Sequence, residues 1–270
     1  MRIDGISIDR QQALTAVAEV GERTADVIGA IGDLDGRTRG LDWTLGQTAA
    51  HIVADVQYHR AWLRGEGKID YFVPELSEEN LRGIESVKER DPAVLAATVR
   101  QDNAAFVSEA AGQPAGAAFA AEVGPDLSLE VMISVHLGEL LVHGWDIATT
   151  LGRPWAIERD EANIVARGVL PVLPMMVDPA AAAGVSLVYE LSLRGGGPRV
   201  LIRVQDGSLT VEPVVARAPA DCRISADPAA FLLVAYGRVA QLGPILRGQL
   251  IAWGRRPLAA PRLNSFIRNP

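Results

Sequence analysis

Residues 136–146 read "HLGELLVHGWD", which sets His136, Glu139, His143 and Asp146 in an otherwise apolar stretch of a chain with only four histidines. At 100° per residue, with His136 as zero, Glu139 falls at roughly −60°, His143 at roughly −20° and Asp146 at roughly −80° on a helix. All four share one stripe, and Val135, Leu140, Val142 and Ile147 flank it. The other two histidines repeat the pattern: His51, Asp55 and His59 follow at intervals of four. His51 sits among Ala49, Ala50, Ile52 and Val53, which predicts burial, whereas His59 adjoins Arg60 at the polar end.

Two kinds of chemistry fit. Buried imidazoles and carboxylates can satisfy one another as a structural network, and Glu139 with His143 can be a plain i, i+4 helix pair. Neutral imidazole with carboxylate also suits a borderline divalent ion such as zinc. Glu139 and His143 can reach one ion from a single helix, and His51 is the best-buried source of a third ligand. Three protein ligands leave a position open for water or a thiol. Asp146 is placed to hold the other nitrogen of His143. Asp55 and His59 read as solvated or as supporting groups. His136 reads as a fourth ligand, a proton carrier or a packed residue.

The elements that must carry these residues are legible from periodicity. Residues 9–32, 42–65, 91–112 and 126–152 each show helical spacing of apolar positions. Asp9 and Asp91 stand as caps, Pro92 follows at a first helical position, and Thr44 with Gln47 makes a capping-box pattern. Four such helices predict an up-and-down bundle. A connector over 159–177 contains Pro171 and Pro174, which should kink or break it. The period then changes. "VSLVYELSL" alternates, with Val185, Leu187, Tyr189, Leu191 and Leu193 on one face. "RVLIRVQ" and "SLTVEPV" flank Asp206-Gly207 as a hairpin. A helix capped by Asp227, a strand in "GQLIAWG" and a terminal helix in "PLAAPRLNSFI" complete an α+β half. The expected division is a bundle over 1–155, a connector over 156–180 and an α+β domain over 181–270.

Composition narrows the function. The chain has 270 residues, is 49% hydrophobic and 22% charged, and carries a net charge of −7 with no basic run. Phosphate neutralisation, and with it nucleic-acid binding, is not expected. No apolar run approaches the ~20 residues of a membrane helix, and the start "MRIDGISIDR" lacks a signal-peptide pattern. A cytoplasmic protein without a membrane partner, monomeric or homodimeric, is expected. The lone Cys222 excludes an intrachain disulfide and a Cys-rich zinc site; at the start of a strand, without a neighbouring histidine, it reads as core. Arginine outnumbers lysine 24 to two and alanine is abundant, the bias of a GC-rich genome.

"DWTLGQTAAHIVAD" and "ELLVHGWDIATTLGRP" together resemble the two signatures of the mycothiol-dependent maleylpyruvate isomerase family and of DinB-like thiol transferases. They occur in the right order and about 90 residues apart. The resemblance covers roughly residues 9–155. It implies a DinB-like metal-binding bundle, with zinc held by His51, Glu139 and His143, and mycothiol as cosubstrate. An actinobacterial source would follow. The second half, from "DCRISADPAAFLLVAYGRV" onward, resembles the sterol-carrier-like α+β domain that often follows this bundle. "AYGR" resembles a Gly-Arg of that domain, which implies that Arg238 assists a substrate carboxylate; its plain reading is an arginine at a helix end. A zinc-bound thiol is deprotonated and nucleophilic. Three readings therefore stand: a thiol-dependent isomerase or S-transferase acting on a small electrophile, a carrier of an apolar ligand using the second half, and a metal that only organises the bundle.

Overall fold

The computed structural model describes residues 2–66, 76–120, 125–214, 216 and 218–268. The chain forms two compact units. The first comprises Asp9–Ile157 with the N-terminal strand, and the second Glu158–Pro270 with Gly5–Ile8. The division falls between Ile157 and Glu158, and the connector helix groups with the second unit.

The first unit is the expected bundle. Its long helices are α1 (Arg10–Gly29), α2 (Leu45–Leu63), α4 (Pro92–Ala111) and α5 (Leu129–Thr150), with a shorter α3 (Leu76–Ser86) lying against α2. Local signals set the helix starts. Asp9 accepts from the Gln12 N–H and Asp91 from the Ala93 N–H. Thr44 and Gln47 exchange both bonds of a capping box, at 3.1 and 2.8 Å. Each supplies acceptors to backbone donors that no earlier turn can satisfy. Helix α5 is buried on nearly all sides, from Leu129 through Ile147, as a helix apolar all round should be. It packs on α1 and α2. Strands β1 (Arg2–Ile3), β2 (Ala118–Phe119) and β3 (Asp126–Ser128) form a small sheet in the order β1-β3-β2.

The second unit opens with α6 (Arg159–Val169), which tightens into a 3-10 segment over Leu170–Met176. Pro171 and Pro174 remove the donors that α-helical pairing needs. A five-stranded sheet follows, ordered β6-β5-β4-β7-β8, from β4 (Ser186–Leu193), β5 (Arg199–Gln205), β6 (Ser208–Pro213), β7 (Cys222–Ala226) and β8 (Leu250–Gly254). Only β4 and β7 pair in parallel. Asp206 and Gly207 both take positive φ, 43° and 85°, as a two-residue hairpin turn of the primed type requires. Leu187, Tyr189, Leu191 and Leu193 enter the core as their alternation predicts. Helices α7 (Pro228–Ala235) and α8 (Leu242–Leu246) complete the unit. The expected terminal α-helix is a 3-10 helix over Pro257–Phe266 instead, because Pro261 sits inside it. Cys222 is fully buried, and burial pushes its thiol above the ordinary range.

Candidate metal centre

His51 lies in the second turn of α2, and Glu139 and His143 lie one turn apart on α5. The structure brings the three together. His51 Nε2 is 3.6 Å from Glu139 Oε2, and His143 Nε2 is 3.3 Å from the same oxygen. The two imidazoles meet edge to face with centroids 4.7 Å apart. One ligand atom from each residue lies within 4.8 Å of the others. Both histidines are buried, while the Glu139 side chain keeps 19% of its exposure and so marks the route to solvent.

Asp146 is fully buried, and its Oδ2 accepts from Nδ1 of His143 at 3.1 Å. That bond holds a hydrogen on Nδ1 and sets Nε2 facing Glu139. Burial opposes charge on both groups. Hydrogen bonds from His143 and His51 nevertheless hold Glu139 below the ordinary carboxylate range. Asp146 and Glu139 likewise outweigh burial at His143 and raise it to about 9. A carboxylate kept anionic, sharing a proton with an imidazole, is the state that a divalent cation replaces. The donor set therefore fits a borderline ion with three protein ligands.

Trp43, just before the Thr44 cap, lies over both rings, 4.9 Å from His51 and 5.9 Å from His143. Its place in the quoted α2 signature was the signal that it belongs to the site.

His136 does not join the cluster. Three residues before Glu139, it sits a turn lower on α5 and points to other helices. Its Nδ1 is 2.8 Å from Nδ1 of His59, its Nε2 is 2.9 Å from Oδ1 of Asn103, and its ring stacks on Phe106 at 4.0 Å. A fourth-ligand role for His136 at this cluster is thereby removed. His59 is also corrected: it is fully buried, not solvated, with Asp55 Oδ2 3.3 Å from its Nδ1. Arg60 is the residue that faces outward, pairing with Asp102 and Glu109. Arg238 lies in the second unit just past α7, where its Nη1 donates to the Tyr236 carbonyl at 2.7 Å.

The chain thus combines a helical bundle carrying a His/Glu/His cluster with an α+β unit. Residues 17–148 match the mycothiol maleylpyruvate isomerase N-terminal domain, and residues 176–255 match the SCP-2 sterol transfer family. The first unit is thus similar to the former domain and the second to the latter. Among solved structures, the mycothiol-dependent maleylpyruvate isomerase is similar at 15% identity and a TM-score of 0.54, covering 86% of this chain and 90% of that one. A variant of it with a histidine replaced by alanine is similar at 13% identity and a TM-score of 0.57, covering 91% and 93%. These likenesses show a shared fold. No curated protein matches by sequence. Among the described residues, no helix is long and apolar enough to cross a membrane.

Proposed function

We propose that the protein is a zinc- and mycothiol-dependent enzyme, an isomerase or S-transferase acting on a small electrophilic, carboxylate-bearing substrate. The observation that carries this reading is the convergence of His51 and His143 on the partly exposed carboxylate of Glu139. These three would hold the ion, and its Lewis acidity would keep a bound thiol as the thiolate at neutral pH.

The remaining steps fall to the chain. Asp146 fixes the His143 ring through Nδ1, so that Nε2 is the nitrogen that would face the ion once the ion displaces its proton. Trp43 covers the two imidazoles and excludes water from that side. Arg238 is the proposed partner of the substrate carboxylate. Addition of the thiolate sulfur to an electrophilic carbon breaks the double-bond character there. Rotation and elimination of the same thiol then return an isomer with no net change in atoms, while retention of the adduct is S-transfer.

Cobalt(II) substitution tests the reading. Added mycothiol should produce a thiolate-to-metal charge-transfer band that His143→Ala abolishes. No band at millimolar thiol would overturn it. Arg238→Ala should keep the band and lose turnover; unchanged turnover would confine Arg238 to the helix end.

A second reading has its own observation. Leu242, Leu246 and Leu258 of the second unit are 66%, 78% and 90% exposed, and that unit matches a sterol transfer family. Binding of an apolar ligand there would appear as displacement of a fluorescent fatty acid, independent of the metal.

A further inference from the structure

We propose that Asp55, His59 and His136 form a second divalent-cation site, distinct from the His51–Glu139–His143 cluster. Asp55 Oδ2 is 3.3 Å from His59 Nδ1, which is 2.8 Å from His136 Nδ1. One ligand atom of each residue lies within 4.8 Å of the others. Two imidazoles and a carboxylate are the donor set of a borderline ion such as zinc or cobalt, and not of magnesium or calcium.

Hydrogen-bond direction settles what His136 presents. Asn103 Nδ2 donates to the Val17 carbonyl at 3.0 Å, so its Oδ1 faces Nε2 of His136 at 2.9 Å. An amide oxygen only accepts, so Nε2 carries the hydrogen. The neutral ring then offers the Nδ1 lone pair to His59. A ligand histidine whose other nitrogen donates to a fixed acceptor is the usual arrangement at metal sites. The acceptor itself is fixed from behind: a Cβ on Gly21 would lie 1.9 Å from Asn103 Nδ2, so glycine there lets Asn103 approach.

Without an ion, His59 Nδ1–H donates to His136 Nδ1. An ion would take the place of that hydrogen, and His59 would carry its proton on Nε2, with no net release. With bonds of about 2.0–2.1 Å to a tetrahedral ion, the two nitrogens would sit about 3.3 Å apart, roughly 0.5 Å wider than here. Both rings are fully buried. Burial holds His136 well below its ordinary range and brings His59 down to about 3, so protons do not compete for these nitrogens near neutrality. Trp62 and Phe106 wall the rings at 5.1 and 4.0 Å. The Asp55 side chain, 12% exposed, is the side from which a cation can enter.

The two clusters are separate sites. Their histidines are eight residues apart on α2 and seven on α5, roughly 12 and 10 Å along a helix, against the ~3.5–4 Å of bridged two-metal centres. The second site would pin α2 to α5 and make the bundle's stability metal-dependent. It does not rest on the thiol chemistry proposed for the first.

The full chain, stripped with a chelator and reloaded with cobalt(II), provides the test by elemental analysis and d–d absorption after desalting. The wild type should hold about two ions per chain. His51→Ala with His143→Ala should retain one, and added Asp55→Asn should remove it. Cobalt should also raise the Tm of the first-site double variant, and not that of the variant carrying Asp55→Asn. Asp55 is partly exposed, so this substitution keeps the test alive where His136 variants fail to fold. A first-site double variant that binds no cobalt would overturn the second site. So would an ion retained in full after Asp55→Asn. Loss of the thiol band with the second ion still bound would instead fault the first-site reading alone.

Discussion

At the scale of single residues, the first cluster depends on a side chain outside the His51, Glu139 and His143 set. Asp146 fixes the His143 tautomer through one buried hydrogen bond. Asp146→Asn keeps the shape but can no longer accept as an anion, so metal affinity should fall ~10–100-fold in a chelator competition; near-UV circular dichroism should be unchanged. Gly21 plays the matching part in the other network. Gly21→Ala drives a methyl group into Asn103 and takes the acceptor from His136 Nε2. The expected cost is on the order of 1–3 kcal/mol by urea unfolding. Asn103→Ala should cost less in that background than in the wild type, since the two act through one contact. His51, Glu139, His143 and Asp146 come together in the structure, and their grouping was legible because one helical stripe and one buried neighbourhood define them. Sequence reasoning misplaced His59 because Arg60 beside it suggested solvent; a step of about 100° turns the two side chains apart. It left His136 open between ligand, proton carrier and packed residue because a helical wheel hides the rise, and three residues move a side chain by about 4.5 Å along the axis.

At the scale of elements, the site is held in place by how α2 begins. The Thr44–Gln47 box starts the helix beside Trp43, and His51 follows two turns on. Thr44→Ala should cost about 1 kcal/mol, lowering the urea midpoint with the m-value unchanged. It should weaken metal binding less than Asp146→Asn does, because Leu45, Thr48 and Ala49 remain buried behind the helix. Caps of this kind, at Asp9, Thr44, Asp91 and Asp227, were legible because the interaction spans three residues or fewer. The elements that escaped notice lack such signals. Helix α3 is short, β1 and β2 hold two residues each, and β3 pairs with partners more than a hundred residues away in one case. The 3-10 form of the last segment is set by Pro261, a residue seen but given too little weight. Alternation in β4 predicted its inward face, yet Glu190 on the opposite face is also buried, because Arg199 and Arg223 close over it.

At the scale of the whole molecule, a −7 chain buries all four of its histidines, and their ionisation links folding to pH. His59 folds with a pKa of about 3 against an ordinary 6.5, and His136 is shifted the same way. The unfolded chain therefore binds more protons between pH 6.5 and 3, so stability is full above 6.5 and drains away as pH falls toward 3. His143 has the opposite sign. Raised to about 9, it contributes fully below pH 6.5 and loses its contribution as pH climbs through 9. Metal-free protein should accordingly show a stability maximum near pH 6.5, with each histidine adding a slope of up to about 1.4 kcal/mol per pH unit within its window. Urea midpoints measured across pH 4–10 in chelator, with that range set by about 2–3 units on either side of 6.5, check this. His59→Gln should flatten the acid limb and leave the alkaline limb intact, while His143→Gln should do the reverse. An acid limb unaltered by His59→Gln would mean that the carboxylates, and not the buried histidines, govern acid unfolding. Zinc adds a further contrast. An ion on His51, Glu139 and His143 displaces the His143 proton, so its affinity should rise with pH up to about 9. The stability gained from zinc should be larger at pH 9 than at pH 6.5, and the alkaline limb should therefore disappear in the loaded protein while the acid limb steepens.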